Sequence, residues 1–281
     1  GDYVEYIPDI AEYTTDTNNT GWTPQTLNTE TKDWRVLYVN SETGEVLLTT
    51  NGIVNDGTYL NGTKGYFRGP TELNNICKEL YSNSSLGITA RSMTVEDLNK
   101  VCNYTPSEST TRYAYYPCRT TFAEGDTTIE YNGKTYTKKA HGYSRAKFYT
   151  SDGGGIEKTD SDGFTYRVPK ADNPVYVTKT YYHYNPSSKN STVGSILGSS
   201  YGWLASSPCV NLDSSIARFH VRGAYSSGVS AYYLYDSDGY AYSYSFGVRP
   251  LVFLSSMLQI DTSDTARDGS TSAKAWKIIK K

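Results

Sequence analysis

The sequence predicts an α+β fold in which two helices pack on a mixed or antiparallel sheet with long loops. Two segments carry clean helical stripes of apolar residues. Many short runs alternate in the manner of strands, with Gly, Asn, Asp and Ser between them. The composition agrees: of 281 residues only 20% are charged, 28 are tyrosine and 24 glycine. That length is ample for one packed domain spanning 1–281, with a loop-rich insertion at about 103–200 and a Tyr-rich segment at about 205–250.

Taken in order, residues 33–50 read as a hairpin. Trp34, Val36 and Tyr38 alternate with Arg35, Leu37 and Val39, Ser41-Glu42-Thr43-Gly44 turns the chain, and Val46-Leu47-Leu48 returns. A helix is expected over 71–82, opened by Pro70, which suits a first turn. Its buried stripe is Leu73, Ile76, Cys77, Leu80 and Tyr81. A second is expected over 94–102: Thr94 and Asp97 form a capping-box-like pair, and Val95, Leu98, Val101 and Cys102 form the apolar face.

Inside the insertion, Asn132-Gly133 predicts a tight hairpin across 130–136, and 175–182 reads as a strand. Near the carboxyl end Ala217, Phe219 and Val221 share one strand face, with Arg218, His220 and Arg222 on the other. Val229 to Tyr235 is a second strand. Asp236-Ser237-Asp238-Gly239 is expected to turn it back into 240–248, setting Tyr233 and Tyr235 beside Tyr240, Tyr242 and Tyr244. Gly247-Val248-Arg249-Pro250 reads as a bend into a buried strand at 251–254, and 275–279 as a last strand.

Several functions are disfavoured. A formal charge of −2 lacks the basic field that nucleic acid requires. No run of 18 apolar residues spans a membrane. Gly1-Asp2-Tyr3-Val4 reads as the start of a folded part, so an export or anchor segment upstream is an open expectation. Cys77, Cys102, Cys118 and Cys209 lack zinc spacing; they allow two disulfides in three connectivities, or buried free thiols. Gly153-Gly154-Gly155 lacks the Gly-Lys-Ser/Thr of a phosphate loop. Asp160-Ser161-Asp162-Gly163 begins like a calcium loop but has no Glu at the twelfth position, so a turn is the expectation. No metal and no cofactor is expected. His141, His183 and His220 show no catalytic spacing with the carboxylates.

The tyrosines carry the functional reading. Seven lie between positions 225 and 244: Tyr225, Tyr232, Tyr233, Tyr235, Tyr240, Tyr242 and Tyr244. As core residues, each phenol would need a buried hydrogen-bond partner. Tyr mixed with Ser, Gly and Asp is instead the palette of an adaptable binding surface. Tyr233, Tyr235, Tyr240, Tyr242 and Tyr244, with Arg218 and His220, are therefore expected to be exposed and mutually near.

The order Trp203-Leu204-Ala205-Ser206, Phe219-His220-Val221-Arg222, the Asp236–Gly239 turn and Gly247-Val248-Arg249-Pro250 resembles the C-type-lectin-fold variable proteins of diversity-generating retroelements. Those proteins occur in gut bacteria, prophages and phages, and relate to the formylglycine-generating-enzyme-like branch of the fold. Asp33-Trp34-Arg35-Val36-Leu37, Leu80-Tyr81-Ser82-Asn83 and Ala90-Arg91-Ser92 are also similar to bacterial surface proteins of the group, some with a pilin-like segment ahead of a Gly-Asp-Tyr-Val start. The likeness is good over roughly 1–102 and 201–255 and poor over 103–200.

The resemblance implies a C-type-lectin-like domain whose chain ends meet, so that the 33–50 hairpin pairs close to the last strands. It implies a changeable ligand-binding surface at Asn211, Ser215, Ile216, Arg218, His220, Tyr225, Tyr232, Tyr233, Tyr235, Asp236, Tyr240, Tyr242, Ser243, Tyr244 and Ser245. Phe219, Val221, Val248, Arg249 and Pro250 match fixed scaffold. Trp203 and Arg249 are read as scaffold too, the guanidinium tying loop carbonyls or a carboxylate together. The function implied is a non-enzymatic receptor- or adhesin-type protein, on a bacterial surface or a phage particle, with an unknown protein or glycan as ligand. Two other readings stand beside it. A formylglycine-generating-type oxidase would need a copper-holding cysteine pair, and the carboxyl-terminal half has only Cys209. A structural pilus or virion subunit would bind no ligand. Calcium-dependent lectin chemistry would need Glu-Pro-Asn or Gln-Pro-Asp, and neither occurs.

Overall fold

The computed structural model describes residues 1–105, 112–115, 128–131, 134–139, 156–159, 165–168, 175–178, 184–213, 216–236, 241–255, 257–261 and 263–280. The fold is α+β, with mixed sheets and few helices. Two sheets organise it. The first has seven strands in the order Leu258–Asp261, Trp276–Lys280, Tyr3–Glu5, Trp34–Val39, Val46–Thr50, Pro250–Leu254 and Arg91–Ser92. The second has five: Gly228–Asp236, Ile216–Tyr225, Gly202–Asp213, Ser243–Val248 and Val54–Asn61.

The hairpin at 33–50 forms as expected. Trp34–Val39 and Val46–Thr50 pair antiparallel, and Val46–Thr50 also pairs with Pro250–Leu254. The chain ends lie side by side, Val4 opposite Trp276 and Glu5 opposite Lys277, in parallel. A register shift between Val36 and Tyr38 breaks the simple alternation. Leu37 is the extra residue of this bulge, so that Leu37 and Tyr38 both pack on one core while Val36 enters the other. The same division recurs across the sheets: Leu48, Val252 and Trp203 enter one core, while Leu47, Leu251 and Leu204 enter the other. Sheets buried on both faces explain the strand sequences in which adjacent residues are both apolar.

The long helix differs from expectation at its start. It runs Gly62–Tyr81, with Pro70 inside rather than opening it. Its stripe of Leu73, Ile76, Cys77, Leu80 and Tyr81 is fully buried as expected. The first half carries Gly62, Gly65 and Gly69, which disguise it as a loop. Two of these glycines are clearances. A Cβ on Gly65 would sit 2.9 Å from the Thr20 carbonyl oxygen and 3.0 Å from Leu234 Cδ1, and one on Gly69 would sit 3.0 Å from Leu60 Cδ1. The helix thus lies close against Val54–Asn61 and Gly228–Asp236. Gly→Ala in a helix ordinarily adds about 1 kcal/mol of stability. Gly65→Ala is expected to do the reverse, because backbone as well as side chain obstructs the new methyl. A rise in melting temperature for this variant would show that the close approach is not tight.

Glu72 holds the 12–19 segment on this helix. It is fully buried and accepts hydrogen bonds from the Tyr13 hydroxyl (3.0 Å), the Asp16 amide (2.8 Å) and Asn19 Nδ2 (2.7 Å). These donors satisfy a carboxylate that would otherwise be costly to bury. The second helix is Val95–Val101. Thr94 Oγ1 accepts from the Asp97 amide at 3.1 Å and the Thr94 amide donates to Asp97 Oδ2 at 2.8 Å, which completes the capping box. Arg91 clamps the same carboxylate with two bonds of 2.7 Å. Burial pushes the Asp97 pKa up, but the bonds from Arg91 and Thr94 outweigh it and hold the carboxyl below its usual range.

Within 103–200, Thr128–Tyr131 and Lys134–Lys139 form the Asn-Gly hairpin, with Tyr131 opposite Lys134. The strand expected at 175–182 is described as Val175–Thr178. These three strands share a four-stranded sheet with Arg112–Tyr115, and Ile156–Thr159 pairs with Thr165–Val168 in a two-stranded one. The glycine run at 153–155 and the calcium-like turn at 160–163 lie outside the described residues. Two short helices, Pro186–Lys189 and Ser191–Leu197, have no counterpart among the expectations. Their signals are Asn185 and Asn190, whose side chains cap them. Cys77 and Cys102 are buried free thiols; the side chains of Cys118 and Cys209 lie outside the description.

The candidate aromatic surface of the five-stranded sheet

The pairing expected around the tyrosines is corrected by the structure. Ser243–Val248 does not return along Gly228–Asp236. It pairs antiparallel with Val54–Asn61, Tyr244 opposite Leu60 and Ser245 opposite Tyr59. The neighbour of Gly228–Asp236 is Ile216–Tyr225, joined to it through the Ser226-Ser227 turn. This hairpin already supplies one edge of the Gly228–Asp236 strand. Among the described residues the strand makes two further backbone bonds: the Val229 amide donates to the Tyr184 carbonyl at 3.0 Å, and the Leu234 carbonyl accepts from the Tyr242 amide at 2.7 Å, while the Tyr242 carbonyl accepts from the Gly62 amide at 3.1 Å. Residue 242 therefore draws the two edges of the five-stranded sheet together. Tyr242 precedes the strand, so simple period-two parity does not place it with Tyr244.

The rings nevertheless gather. Tyr233 and Tyr242 have centroids 4.5 Å apart, Tyr233 and Tyr244 6.5 Å, and Tyr232 and Tyr244 5.4 Å. The row continues through Phe246, 4.6 Å from Tyr232, to Tyr201 and then Tyr225, 4.3 Å further. All of these are half-buried rather than freely exposed. Tyr232, Tyr244 and Phe246 rest one flank on the core around Trp203. Tyr201 belongs to this row and was not among the expected site residues. Its signal in the sequence was its place two residues before Trp203, on the same strand face.

Glycines make the rings lie flat. A Cβ on Gly228 would stand 2.8 Å from Tyr225 Cε1, and one on Gly223 would stand 3.2 Å from Tyr232 Cε2. The Tyr201 ring lies 4.3 Å from that of Tyr225 and 5.5 Å from that of Tyr232, and its hydroxyl favours the protonated form of both. Burial, and after it the neighbouring Tyr201 hydroxyl, push the Tyr232 phenol well above its usual range. Tyr225 is raised by the Tyr201 hydroxyl, and Tyr244 by burial and then Tyr233. A phenol whose pKa is higher in the folded state loses no stability below the unfolded value of about 10. Above it the unfolded chain ionises first, so stability falls as pH rises toward the folded values. Denaturation midpoints are therefore expected to be flat from neutral pH to about 9 and to decline above about 10. A midpoint that holds steady well above that range would contradict the buried phenol network.

His220 corrects the expectation more sharply. It is 4% exposed, not part of an open surface. It pairs with Tyr233, their rings 5.6 Å apart, on the face shared with buried Arg222 and Ala224. A register shift between Phe219 and His220 accompanies this placement. Ser243 is exposed and Ser245 half-buried. Asn211, Arg218 and Asp236 form one cross-strand row by register, and Ile216 stands opposite Asp213. The side chains of these residues and of Phe219 and Tyr235 lie outside the description, as do Ser215 and Tyr240 altogether. Trp203, Val221 and Val248 are fully buried, and Pro250 is buried beside them. Trp203 Nε1 donates to the Thr58 carbonyl at 2.8 Å.

Arg249 sits where the chain leaves the five-stranded sheet for the seven-stranded one. It is 1% exposed, and its Nη2 donates to the carbonyls of Leu197, Ser200 and Ala224 at 2.8, 2.8 and 3.2 Å. Leu197 ends the Ser191–Leu197 helix, whose free carbonyl terminus favours a cation. Burial alone pulls the Arg249 pKa down, to about 9.

Among the described residues no group of three or more His, Cys, Asp or Glu comes together, and no helix is long and apolar enough to cross a membrane. Compared with protein-family models, with curated proteins and with solved structures, the chain matches none.

Proposed function

We propose that the chain is a non-enzymatic ligand-binding protein of receptor or adhesin type, displaying a changeable Tyr-rich surface on a C-type-lectin-like scaffold outside the cell or on a phage particle. The observation that carries this reading is the continuous row of half-buried rings from Tyr225 to Tyr242. Such a row has a fixed inner flank and an accessible outer one, and Tyr anchors of this kind dominate binding energies at interfaces. The chain ends meeting in one sheet support the scaffold part of the reading, as does the burial of Trp203, Val221 and Val248 beside the more open ring positions.

Natural copies of the gene test it. Amino-acid differences are expected to mass at Tyr225, Tyr232, Tyr233, Tyr242, Ser243, Tyr244 and Ser245, and to spare Trp203, Val221, Val248, Arg249 and Pro250. Differences spread evenly over the chain would remove the basis for a diversified surface. At the protein level, Tyr233→Ser and Tyr242→Ser are each expected to change stability by less than about 1 kcal/mol while altering ligand choice, as substitutions on an open flank do. Losses of several kcal/mol, read from urea midpoints, would make these tyrosines core residues.

A further inference from the structure

The end of the aromatic row around Tyr201 differs from a general-purpose contact surface in one respect. Residues 199–203, 223–232 and 244–247 build it, and they include no Asp, Glu, Lys, Arg or His. They are aromatic, serine, glycine and small apolar residues. Tyr225 and Tyr232 lie over Gly228 and Gly223, the Tyr201 ring stands tilted by 45° against Tyr225 and edge-on to Tyr232, and Ser199, Ser200 and Ser227 are exposed at the rim. From this composition and geometry we infer that the terrace of Tyr201, Tyr225 and Tyr232 binds an uncharged oligosaccharide. The inference rests on the binding-protein reading above and names the ligand class for this end of the surface.

The chemistry matches on three counts. A pyranose ring has a face of C–H groups and a rim of hydroxyls. The flat phenol faces suit the first, as aromatic rings suit any apolar plate laid against them. The hydroxyls of Tyr225, Tyr201 and Tyr232, with the exposed serines around them, suit the second, since each can donate or accept. The third count is charge. A sulfated or sialylated glycan, or a nucleic acid, would bring anions to described segments, 199–203, 223–232 and 244–247, that offer them no cation.

The test is calorimetric titration of the whole chain with maltohexaose, cellohexaose and N-acetylchitohexaose, beside sialyllactose and heparin as charged probes. At least one neutral sugar is expected to bind, with an affinity that does not change between low and high salt, because no ion pair is screened. Tyr201→Ala is expected to weaken that binding by about tenfold or more. Tyr201→Phe keeps the ring and removes the hydroxyl, so it should retain part of the affinity even if the alanine variant folds poorly. No binding of any neutral sugar, binding of the charged probes alone, or unchanged affinity in Tyr201→Ala with its fold intact would each overturn the inference. The broader reading is checked separately by the distribution of natural substitutions. If that pattern holds while the neutral sugars fail, the ligand class alone is wrong.

Discussion

Arg249→Ala is expected to lower stability by about 2–4 kcal/mol, as removal of a buried, multiply bonded cation does. Three carbonyls, from Leu197, Ser200 and Ala224, share its Nη2. Without the guanidinium all three lose a donor in a place where little water can replace it. The carbonyls belong to three different segments, so the loss also unties a helix end, a loop and a strand from the crossing between the sheets. The rest of the side chain lies close against strand backbone: a Cβ on Gly202 would come within 2.4 Å of Arg249 Nε. Arg249→Lys should recover only part of the loss, since a single ammonium cannot take up the same planar geometry. Urea midpoints for the two variants check this. An unchanged midpoint with binding abolished would place Arg249 in the ligand site instead.

Trp203→Ala carries the other large effect, about 3–5 kcal/mol for emptying a fully buried indole site. The ring lies 4.5 Å from Phe246 and 6.2 Å from Tyr232, so its removal also takes away the floor of the aromatic row. Trp203→Phe should separate the two contributions. It keeps most of the packing but leaves the Thr58 carbonyl without its donor, at a cost of about 1–3 kcal/mol. If the phenylalanine variant is as unstable as the alanine one, the hydrogen bond rather than the packing dominates this site.

Local rules were legible where they act over a few residues. The Thr94–Asp97 box, the 33–50 hairpin and the stripe from Leu73 to Tyr81 depend on neighbours in sequence, and each forms. What escaped depends on distant partners. Gly65 and Gly69 weaken helix propensity, and only Leu60 and Leu234 packed against them explain why a helix passes there. The partner of Ser243–Val248 is almost two hundred residues upstream, so the nearby Asp-Gly turn pointed to the wrong strand. The expectation that His220 joins Arg218 and the tyrosines on an open surface fails for His220, which is 4% exposed. Around His220, Arg222 and Ala224 the second face of the five-stranded sheet is covered too, so polar residues there are buried like apolar ones. The clustering of tyrosines was visible, but its route through Tyr201 and Phe246 required the curl that Tyr242 imposes.

The parallel pairing of the first strand with the last has a mechanical meaning. Val4 and Glu5 run in the same direction as Trp276 and Lys277, so the two termini leave the sheet from opposite ends of the pair. Tension between the termini would load those ladder bonds together, in shear, instead of peeling them one after another. Further ties lie across the same seam: Tyr3 donates to Gly269, Trp276 Nε1 to Asp2, and Arg267 pairs with Glu5. A pulling experiment on the ends should therefore meet its resistance at this seam, before the sheet that carries the aromatic row begins to open.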